Sequence, residues 1–572
     1  MYHMPQRCKF WVTVLAIGQV TLAGCGTASH SLKTSGSPDN HDKRFTRKVA
    51  TAPTGQSARK LAEAHAHYAA GVIHDLNDES DLALEEFYKA AMADTGNERL
   101  VLDLSRRFVQ AKQPEKALEI LTKATALPSA SGTLFARTAL VYLQLGKNDL
   151  AIAASQVAIK KMPRSLAGYQ NLFNAQMQSR LYAEALKTLE QATKQPDTDA
   201  EFLIVLSELC ATFGRTVPAK SEISKPLSLD ALTRAAKLNP SNPNLRLKLA
   251  DGLSLMGDTR KATEIYIQLL TKYADFPPVR DNVRAKLTDI YLRGRDREHA
   301  VEQLEAMVRD DPANAQAYYF LGGLAYGEKK FEQAAEYFQK TLIFKPEFQQ
   351  AYYDLAGVQI NLSKTQDALA TLEKARAKFP ENFLTEFLFG LAYNTRKEYA
   401  EAVKHFTAAE VIARATDSKR LNEAFYFQLG AVYERNGDYQ QSEIYFQKCL
   451  EMAPDFAEAL NYLGYMWADR GVKLDKAREL IDKAVKLEPK NAAFLDSLGW
   501  VLFKLNQPQP ALEQMIKAVE LAEEPDATLY DHLGDIYMAL KEPEKAREAW
   551  HKSLSIEPNE QIQKKLDSAP VK

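Results

Sequence analysis

Apolar and small side chains recur every three or four residues from about residue 61 onward, a spacing typical of amphipathic α-helices. The pattern returns every 34 residues, with small residues at positions 8, 20 and 27, aromatic residues at 11 and 24, and Pro at 32. One such block contains Gly430, Tyr433, Ser442, Phe446, Cys449 and Pro454. Small residues let two antiparallel helices pack closely, and Pro ends the second helix. The pattern therefore predicts stacked helix pairs.

The period predicts about fourteen helix–turn–helix units. They begin near residues 64, 98, 132, 166, 199, 243, 281, 315, 349, 383, 423, 457, 492 and 527. Unit 5 departs most from the pattern, because the insert RTVPAKSEISKP separates its predicted helices, 202–213 and 227–238. Since this insert contains two prolines, we expect it to divide the chain into sub-arrays over 58–242 and 243–560, followed by a C-terminal tail over 561–572.

The spacing resembles the tetratricopeptide repeat (TPR), a helix–turn–helix unit of 34 residues. The resemblance covers residues 64–560 and implies an all-α fold, an α-solenoid superhelix of about fourteen TPR units. In such arrays each unit contacts only its neighbours, so apolar surface is buried along one continuous seam. The fold class alone does not define a function, because one fold serves many unrelated partners.

The chain begins with a short basic segment that contains Arg7 and Lys9, and an apolar run follows over residues 10–20. This pattern predicts a secretory signal peptide over residues 1–24. The sequence LAGC that ends at Cys25 resembles the lipobox of bacterial lipoproteins. An ordinary signal peptide with an incidental Cys is the alternative.

The lipobox resemblance implies that Cys25 becomes the mature N-terminus and carries a diacylglyceryl group and an N-acyl chain such as palmitate. More than one acyl chain provides stable anchoring to a membrane. Because Gly26 follows the Cys, the resemblance also implies the outer membrane, with the protein facing the periplasm. Residues 25–57 are rich in Ser, Thr, Gly and Pro, which predicts a flexible tether.

Composition and charge exclude several classes of function. The 572 residues include 73 Lys and Arg against 74 Asp and Glu, so the chain lacks the basic excess of a nucleic-acid-binding protein. No G-x-S-x-G, G-x-x-x-x-G-K-[ST], G-x-G-x-x-G, H-E-x-x-H or C-x-x-C motif occurs. We therefore expect no enzyme activity, metal or cofactor beyond the lipid. An enzyme that uses the unit 5 insert or the histidines of unit 1 is the alternative.

Three further residues receive structural interpretations. Cys210 and Cys449 lie in predicted helices six repeats apart, too far for a disulfide, and are expected to be buried and reduced. His532 follows Asp531 and lies one turn before Asp535. An acidic helix face is the favoured interpretation of this group, and a metal site is the alternative.

In TPR arrays, the first helix of each unit lines the binding groove, chiefly with positions 2, 5, 9 and 12. Units 8 to 13 each place one aromatic residue at position 5 or 9: Tyr319, Tyr353, Phe387, Phe427, Tyr465 and Trp500. One interpretation is a groove that binds an extended or helical peptide through these rings. In the other, the rings pack against neighbouring first helices as core. The basic clamp that some TPR domains use for acidic C-terminal peptides is absent.

The C-terminal segment 460–514 is the most distinctive part of the array. Its runs LGY…ADRG and LDSLGW resemble large bacterial TPR lipoproteins, some of which bring periplasmic carboxyl-terminal processing proteases to cell-wall hydrolase substrates. The resemblance implies an adaptor whose partner is a periplasmic protein or peptide segment, such as a protease and its substrate. An assembly factor for secretion, pili, envelope polysaccharide or outer-membrane proteins is the alternative.

Overall fold

The computed structural model describes residues 55–570. Within them, 29 α-helices and two short 3-10 helices (Pro218–Lys220 and Ser418–Arg420) account for the regular structure, without a strand. In chain order the α-helices are α1 (Gly55–Leu76), α2 (Ser80–Ala93), α3 (Glu98–Gln110), α4 (Pro114–Thr125), α5 (Gly132–Gln144), α6 (Asn148–Lys161), α7 (Leu166–Gln178), α8 (Tyr182–Thr193), α9 (Ala200–Thr216), α10 (Ser221–Leu238), α11 (Pro243–Leu255), α12 (Thr259–Lys272), α13 (Pro277–Arg293), α14 (Arg297–Asp310), α15 (Ala315–Gly327), α16 (Phe331–Phe344), α17 (Gln349–Asn361), α18 (Thr365–Lys378), α19 (Phe383–Thr395), α20 (Tyr399–Thr416), α21 (Glu423–Arg435), α22 (Tyr439–Met452), α23 (Ala457–Asp469), α24 (Leu474–Leu487), α25 (Ala492–Lys504), α26 (Pro508–Leu521), α27 (Ala527–Ala539), α28 (Pro543–Ile556) and α29 (Glu560–Ser568).

Helices α1 to α28 of the described chain follow one another as fourteen pairs, in which the odd-numbered helix comes first. The two helices of a pair contact each other in the pairs from α1 to α12 and from α15 to α28. The predicted all-α solenoid of about fourteen units is confirmed. Close packing within a pair depends on small residues where the helices cross. A Cβ added to Gly322 would lie 2.7 Å from the ring of Phe338, and one added to Gly430 would lie 2.9 Å from that of Phe446. Any larger side chain at these positions would push the paired helices apart.

The described chain divides into two compact units, an N-terminal unit over residues 55–303 and a C-terminal unit over 304–570. In the N-terminal unit, the buried core continues from Phe213 through Leu232 and Leu249 to Tyr266. The core therefore runs without interruption past residues 242–243, where the sequence suggested a division between sub-arrays.

The insert of unit 5 forms ordered helix instead of a loop. Helix α9 extends to Thr216, the 3-10 helix Pro218–Lys220 follows, and α10 begins at Ser221 with Pro226 inside it. The buried hydroxyl of Ser228 donates to the carbonyl of Ser207 at 3.2 Å. Pro226 is the sixth residue of α10 and lacks the N–H that would donate to the carbonyl of Glu222, so α10 forms without this one backbone hydrogen bond.

The predicted C-terminal tail contains the last helix, α29. The side chain of Asn559 caps its N-terminus by accepting from the backbone N–H groups of Gln561 and Ile562. Ile562 and Leu566 are spaced four residues apart on one face and pack with Trp550 in a small core cluster. The helix thus covers the exposed end of the last pair.

Both cysteines of the described helices are buried and unpaired, as expected: Cys210 in the N-terminal unit and Cys449 in the C-terminal unit. Burial raises the pKa of each thiol to about 12. Cys25, the predicted signal peptide and nearly all of the predicted tether lie outside the described residues. No helix between residues 55 and 570 combines the length and apolar content needed to cross a membrane.

Candidate functional site

The structure buries most of the six aromatic residues predicted to line a groove. Tyr353 is 5% exposed, Phe427 3%, Tyr465 5% and Trp500 6%. Tyr319 and Phe387 are half-buried. Four of the six rings therefore belong to the core of the described C-terminal unit. Their role as partner anchors stays a prediction.

The buried rings lie between successive first helices, which explains why they are core. The hydroxyl of Tyr353 in α17 accepts from Asn382, just before α19, at 2.7 Å. The ring of Phe427 in α21 contacts Tyr462 in α23 edge-on, with the centroids 5.5 Å apart. Helices of neighbouring pairs approach so closely that a large ring at these positions fills the space between them.

The two half-buried rings are also engaged by neighbours. The hydroxyl of Tyr319 donates to Asp354 at 2.8 Å, and burial together with this carboxylate raises the pKa of Tyr319 far above its usual value. Phe387 stacks on Phe383 at 5.5 Å and contacts Phe425. Part of each ring nevertheless remains exposed, so these two positions fit a groove best.

The last three first helices, α23, α25 and α27, share a polar and aromatic group that we call the end cluster: Tyr465, Asp496, Trp500, Asp531 and His532. His532 is almost completely buried, stacks on Trp500 with a centroid distance of 3.9 Å, and its Nδ1 lies 2.9 Å from Asp496 Oδ1. Burial lowers the pKa of His532, but Asp496, Asp531 and Asp535 together outweigh burial and raise it. These carboxylates therefore stabilise the protonated form of His532.

The acidic helix face that the sequence indicated around His532 lies inside the protein, because both His532 and Asp531 are buried. The Nζ of Lys565 in α29 bridges Asp531 at 2.9 Å and Asp535 at 2.7 Å. The partner of His532 lies one unit earlier in the chain, at Asp496. The sequence signal for this pair is a histidine at position 6 of one repeat and an aspartate at position 5 of the repeat before it.

An open cavity of about 450 Å³ adjoins the end cluster; we call it the end cavity. Its lining residues come from α25, α27, α28 and α29: Phe503, Asp535, Met538, Ala539, Trp550, Lys565 and Ser568. Phe503 stacks on Trp500 at 5.3 Å, so the cavity wall and the end cluster are in direct contact. A cavity with apolar walls and a few polar groups is typical of a binding site.

The part of the chain that the structure describes contains no group of three or more His, Cys, Asp or Glu side chains arranged to hold a metal ion. In unit 1, His67 Nδ1 lies 2.6 Å from Glu86 and His74 Nδ1 lies 2.6 Å from Glu79. Each of these histidines is thus hydrogen-bonded to a single carboxylate.

Comparison with known families identifies the repeat. Tetratricopeptide repeat models match residues 286–350 and 427–492, 383–455, 325–385, and 527–560. These segments are tetratricopeptide repeats. The matches lie almost entirely in the C-terminal unit and include two of the three first helices that build the end cluster, α23 and α27.

Similar proteins share only parts of the chain. Protein CTR9 homolog of Arabidopsis thaliana is 32% identical over 102 residues, 18% of this chain and 9% of that protein. TPR repeat-containing protein PA4667 of Pseudomonas aeruginosa is 30% identical over 138 residues, 23% of this chain and 22% of that protein. Photosystem I assembly protein Ycf3 of Acaryochloris marina is 24% identical over 115 residues, 18% of this chain and 68% of that protein. The chain thus matches less than a quarter of the length of the first two.

Among solved structures, a tetratricopeptide repeat protein from Parabacteroides merdae aligns with a TM-score of 0.37 and 18% identity, over 44% of this chain and 97% of that one. A chain of the Cut9–Hcn1 complex aligns with a TM-score of 0.38 and 15% identity, over 89% of this chain and 97% of that one.

Proposed function

We propose that this protein is a non-catalytic scaffold that binds a periplasmic partner protein and is held at the outer membrane by a lipid on Cys25. The observation that carries the binding role is the end cavity, an open space of about 450 Å³ in the tetratricopeptide repeats at the C-terminal end. Its walls offer Phe503, Met538 and Trp550 as apolar contacts and Lys565 and Asp535 as polar ones. This combination suits a protein segment.

The lipid anchor rests on the sequence LAGC at residues 22–25. A Cys25→Ala variant should move from the membrane fraction to the soluble fraction of fractionated cells, since the acyl chains supply the membrane affinity. Cys8→Ala is the matched control, because Cys8 lies in the segment that is removed, and it should remain with the membrane. Retention of Cys25→Ala in the membrane fraction would contradict the anchor.

The partner role is tested by photo-crosslinking in cells. A photoreactive amino acid placed at Met538, in the wall of the end cavity, should give a covalent adduct with a second protein, identified by mass spectrometry. The same amino acid at Glu479, exposed on α24, is the control and should give much less adduct. Absence of any adduct at Met538 would count against the scaffold. A carboxyl-terminal processing protease in the adduct would support the protease adaptor.

An assembly factor is the second candidate, because one relative that this chain matches over 68% of its length is named a photosystem I assembly protein. The crosslinking experiment distinguishes the two candidates. Adducts with components of secretion, pilus, polysaccharide or outer-membrane assembly would favour the assembly factor over the protease adaptor.

A further inference from the structure

Three consecutive first helices of the C-terminal unit bring acidic side chains together beside the end cluster. Glu434 lies at the end of α21, Asp469 at the end of α23, and Asp496 in the first half of α25. Burial and the negative charge of Asp469 raise the pKa of Glu434, although Arg435 acts in the opposite direction. Glu434 and Asp469 lie at the ends of α21 and α23, neighbouring first helices that contact each other.

The cations nearby are occupied elsewhere. Arg435 donates to Asn394 at 3.0 Å and to the hydroxyl of Tyr462 at 3.1 Å. The ammonium of Lys504 donates to the backbone carbonyl of Asp469 at 3.3 Å and lies over the ring of Trp500. The imidazole of His532 pairs with Asp496. Among the described residues, neither Glu434 nor Asp469 forms an ion pair. The carboxylate of Asp469 accepts a hydrogen bond from Trp500 Nε1 at 3.3 Å.

A buried, unsatisfied hydroxyl lies on the same helix as Asp469. Tyr465 is only 5% exposed, and its hydroxyl has no hydrogen-bond partner within residues 55–570. Asp469 follows Tyr465 by one turn of α23, so the two side chains share a face of the helix. Burial raises the pKa of Tyr465, and the negative charges of Asp469, Asp496 and Glu434 act in the same direction. One turn earlier in α23, the side-chain oxygen of Asn461 is also buried and without a partner. Buried polar atoms are normally hydrogen-bonded, so this arrangement indicates a missing donor.

We propose that Glu434, Asp469, Tyr465 and Asn461 form a recognition site for a positively charged side chain, arginine before lysine, of the partner segment. This inference rests on the proposed scaffold function and adds the chemistry of the partner. A guanidinium offers five N–H donors in a fixed plane, and the site offers two carboxylates, an amide oxygen and a phenol oxygen as acceptors. The half-buried carboxylates meet the cation first, and Tyr465 and Asn461 lie deeper.

The position of the site fits a segment that also fills the end cavity. Trp500 connects the two regions, because its indole N–H contacts Asp469 and its ring stacks on Phe503. A segment with apolar residues for the cavity and an arginine for the acidic site would satisfy both. The acidic charge also disfavours an acidic partner peptide, since like charges repel across an interface.

The test uses random twelve-residue peptides displayed on phage and selected on the purified full chain. The selected peptides should be enriched in arginine next to apolar residues. Replacing that arginine by citrulline, which keeps the shape without the charge, should weaken binding about tenfold in calorimetry, since charge-assisted hydrogen bonds are the strong ones. The affinity should also fall as NaCl is raised.

Variants of the protein show which residues bind the arginine of the peptide. Asp469→Asn and Glu434→Gln should each weaken the arginine peptide several-fold and remove most of the difference between arginine and citrulline. Glu479→Gln on the exposed face of α24 should leave binding unchanged. Tyr465→Phe removes only the hydroxyl and should weaken binding, whereas Tyr169→Phe in the N-terminal unit, which removes another buried unpaired hydroxyl, should not. Circular dichroism of each variant verifies the fold.

The outcomes separate this inference from the scaffold itself. Selected peptides that bind without a cation, or that bind equally well to Asp469→Asn, would overturn the acidic site and leave the scaffold intact. An arginine peptide that binds no better than its citrulline analogue would also overturn the acidic site and leave the scaffold intact. Selection of no binder at all, with no adduct at Met538 in cells, would overturn both proposals.

Discussion

The two compact units are built from the same kind of helix pair but bury different side chains. In the N-terminal unit, the buried polar residues are all neutral, such as Ser105, Asn171 and Ser207. Every buried Asp, Glu, His, Lys or Arg side chain among the described residues lies in the C-terminal unit: Glu386, His405, Glu410, Asp496, Asp531 and His532. The N-terminal unit thus packs through apolar and neutral polar side chains. The C-terminal unit also buries carboxylate and imidazole groups in the same kind of helix packing.

This difference matters because a buried charge is stable only with a partner in fixed geometry. His405 pairs with Glu386 across α19 and α20 at 2.6 Å, and His532 pairs with Asp496 across α25 and α27. The pair between Asp496 and His532 joins two neighbouring repeats. A shift of α25 against α27 would therefore leave a buried charge unpaired. We infer that the C-terminal unit tolerates less variation in helix position than the N-terminal unit, as a binding site requires.

The largest effect is expected for Asp496→Ala, which leaves the buried imidazolium of His532 without its carboxylate. Removing one partner of a buried ion pair costs about 3–5 kcal/mol. Urea unfolding followed by tryptophan fluorescence is the measurement, because the three tryptophans after Trp11 all lie in the C-terminal unit. Asp482→Asn, in the exposed pair with Arg478, is the control, with a cost of about 1 kcal/mol or less. Equal losses would contradict the contrast between buried and exposed pairs.

Aromatic rings that belong to the core should contribute about equally to the free energy of unfolding in the two compact units. Phe427→Ala in the C-terminal unit and Phe213→Ala in the N-terminal unit should each cost about 3 kcal/mol in urea unfolding followed by circular dichroism. Both rings are almost fully buried. Phe387→Ala, in a half-buried position, should cost less. A loss below about 1 kcal/mol for Phe427→Ala, together with loss of partner capture, would place that ring in a groove instead.

Lys565→Met should loosen α29 by removing the bridge to Asp531 and Asp535. Hydrogen bonds between charged groups contribute about 1.5–3 kcal/mol, and we expect a loss of about 2 kcal/mol in the local stability of this helix. Hydrogen exchange of the backbone amides of α29 measures it. Lys545→Met, in an exposed pair with Glu542, should leave exchange in α29 unchanged. Unaltered protection of α29 in Lys565→Met would argue that Ile562 and Leu566 alone hold the helix.

The smallest effect is a pH dependence of the C-terminal unit that arises from His532. The pKa of His532 is raised in the folded protein, so its pair with Asp496 stabilises the unit fully below the unfolded pKa of about 6.5. This stabilisation is lost as pH rises through the folded pKa. Tryptophan-monitored urea unfolding at pH 6 and pH 9 should show the decrease in the wild type.

The raised pKa values of carboxyl groups such as Asp526 and Asp535 also make the stability fall as pH rises, but at lower pH. A variant without the imidazole is therefore needed to isolate the contribution of His532. His532→Gln removes only the imidazole and should show a smaller decrease over the same interval. The same decrease in both proteins would assign the pH dependence to other groups.

The sequence predicted the start of most first helices to the residue, for example at Glu98, Ala315 and Ala527. It did so because small residues and Pro recur at fixed positions, where their size and shape are required. The exceptions have local causes. Helix α13 begins at Pro277, four residues before the predicted start near residue 281, since Pro is favoured in the first turn of a helix.

The candidate site was harder to predict from the sequence than the fold. The aromatic positions of units 8 to 13 were identified, but the choice between groove and core depends on how closely neighbouring first helices approach. For Tyr353, Phe427, Tyr465 and Trp500 that approach buries the ring. The pairing of His532 with Asp496 and of Lys565 with Asp531 joins residues more than thirty positions apart.

The sequence by itself determined the repeat, the helix pairs and the fold class, because these follow from local side-chain size and hydrophobic period. Only the tertiary structure decided which aromatic rings are covered, where charges are buried and where a cavity stays open. These properties depend on the stacking of one unit on the next, and the same residue types can be core or surface according to that stacking. The end cavity and the acidic site beside Tyr465 are products of it.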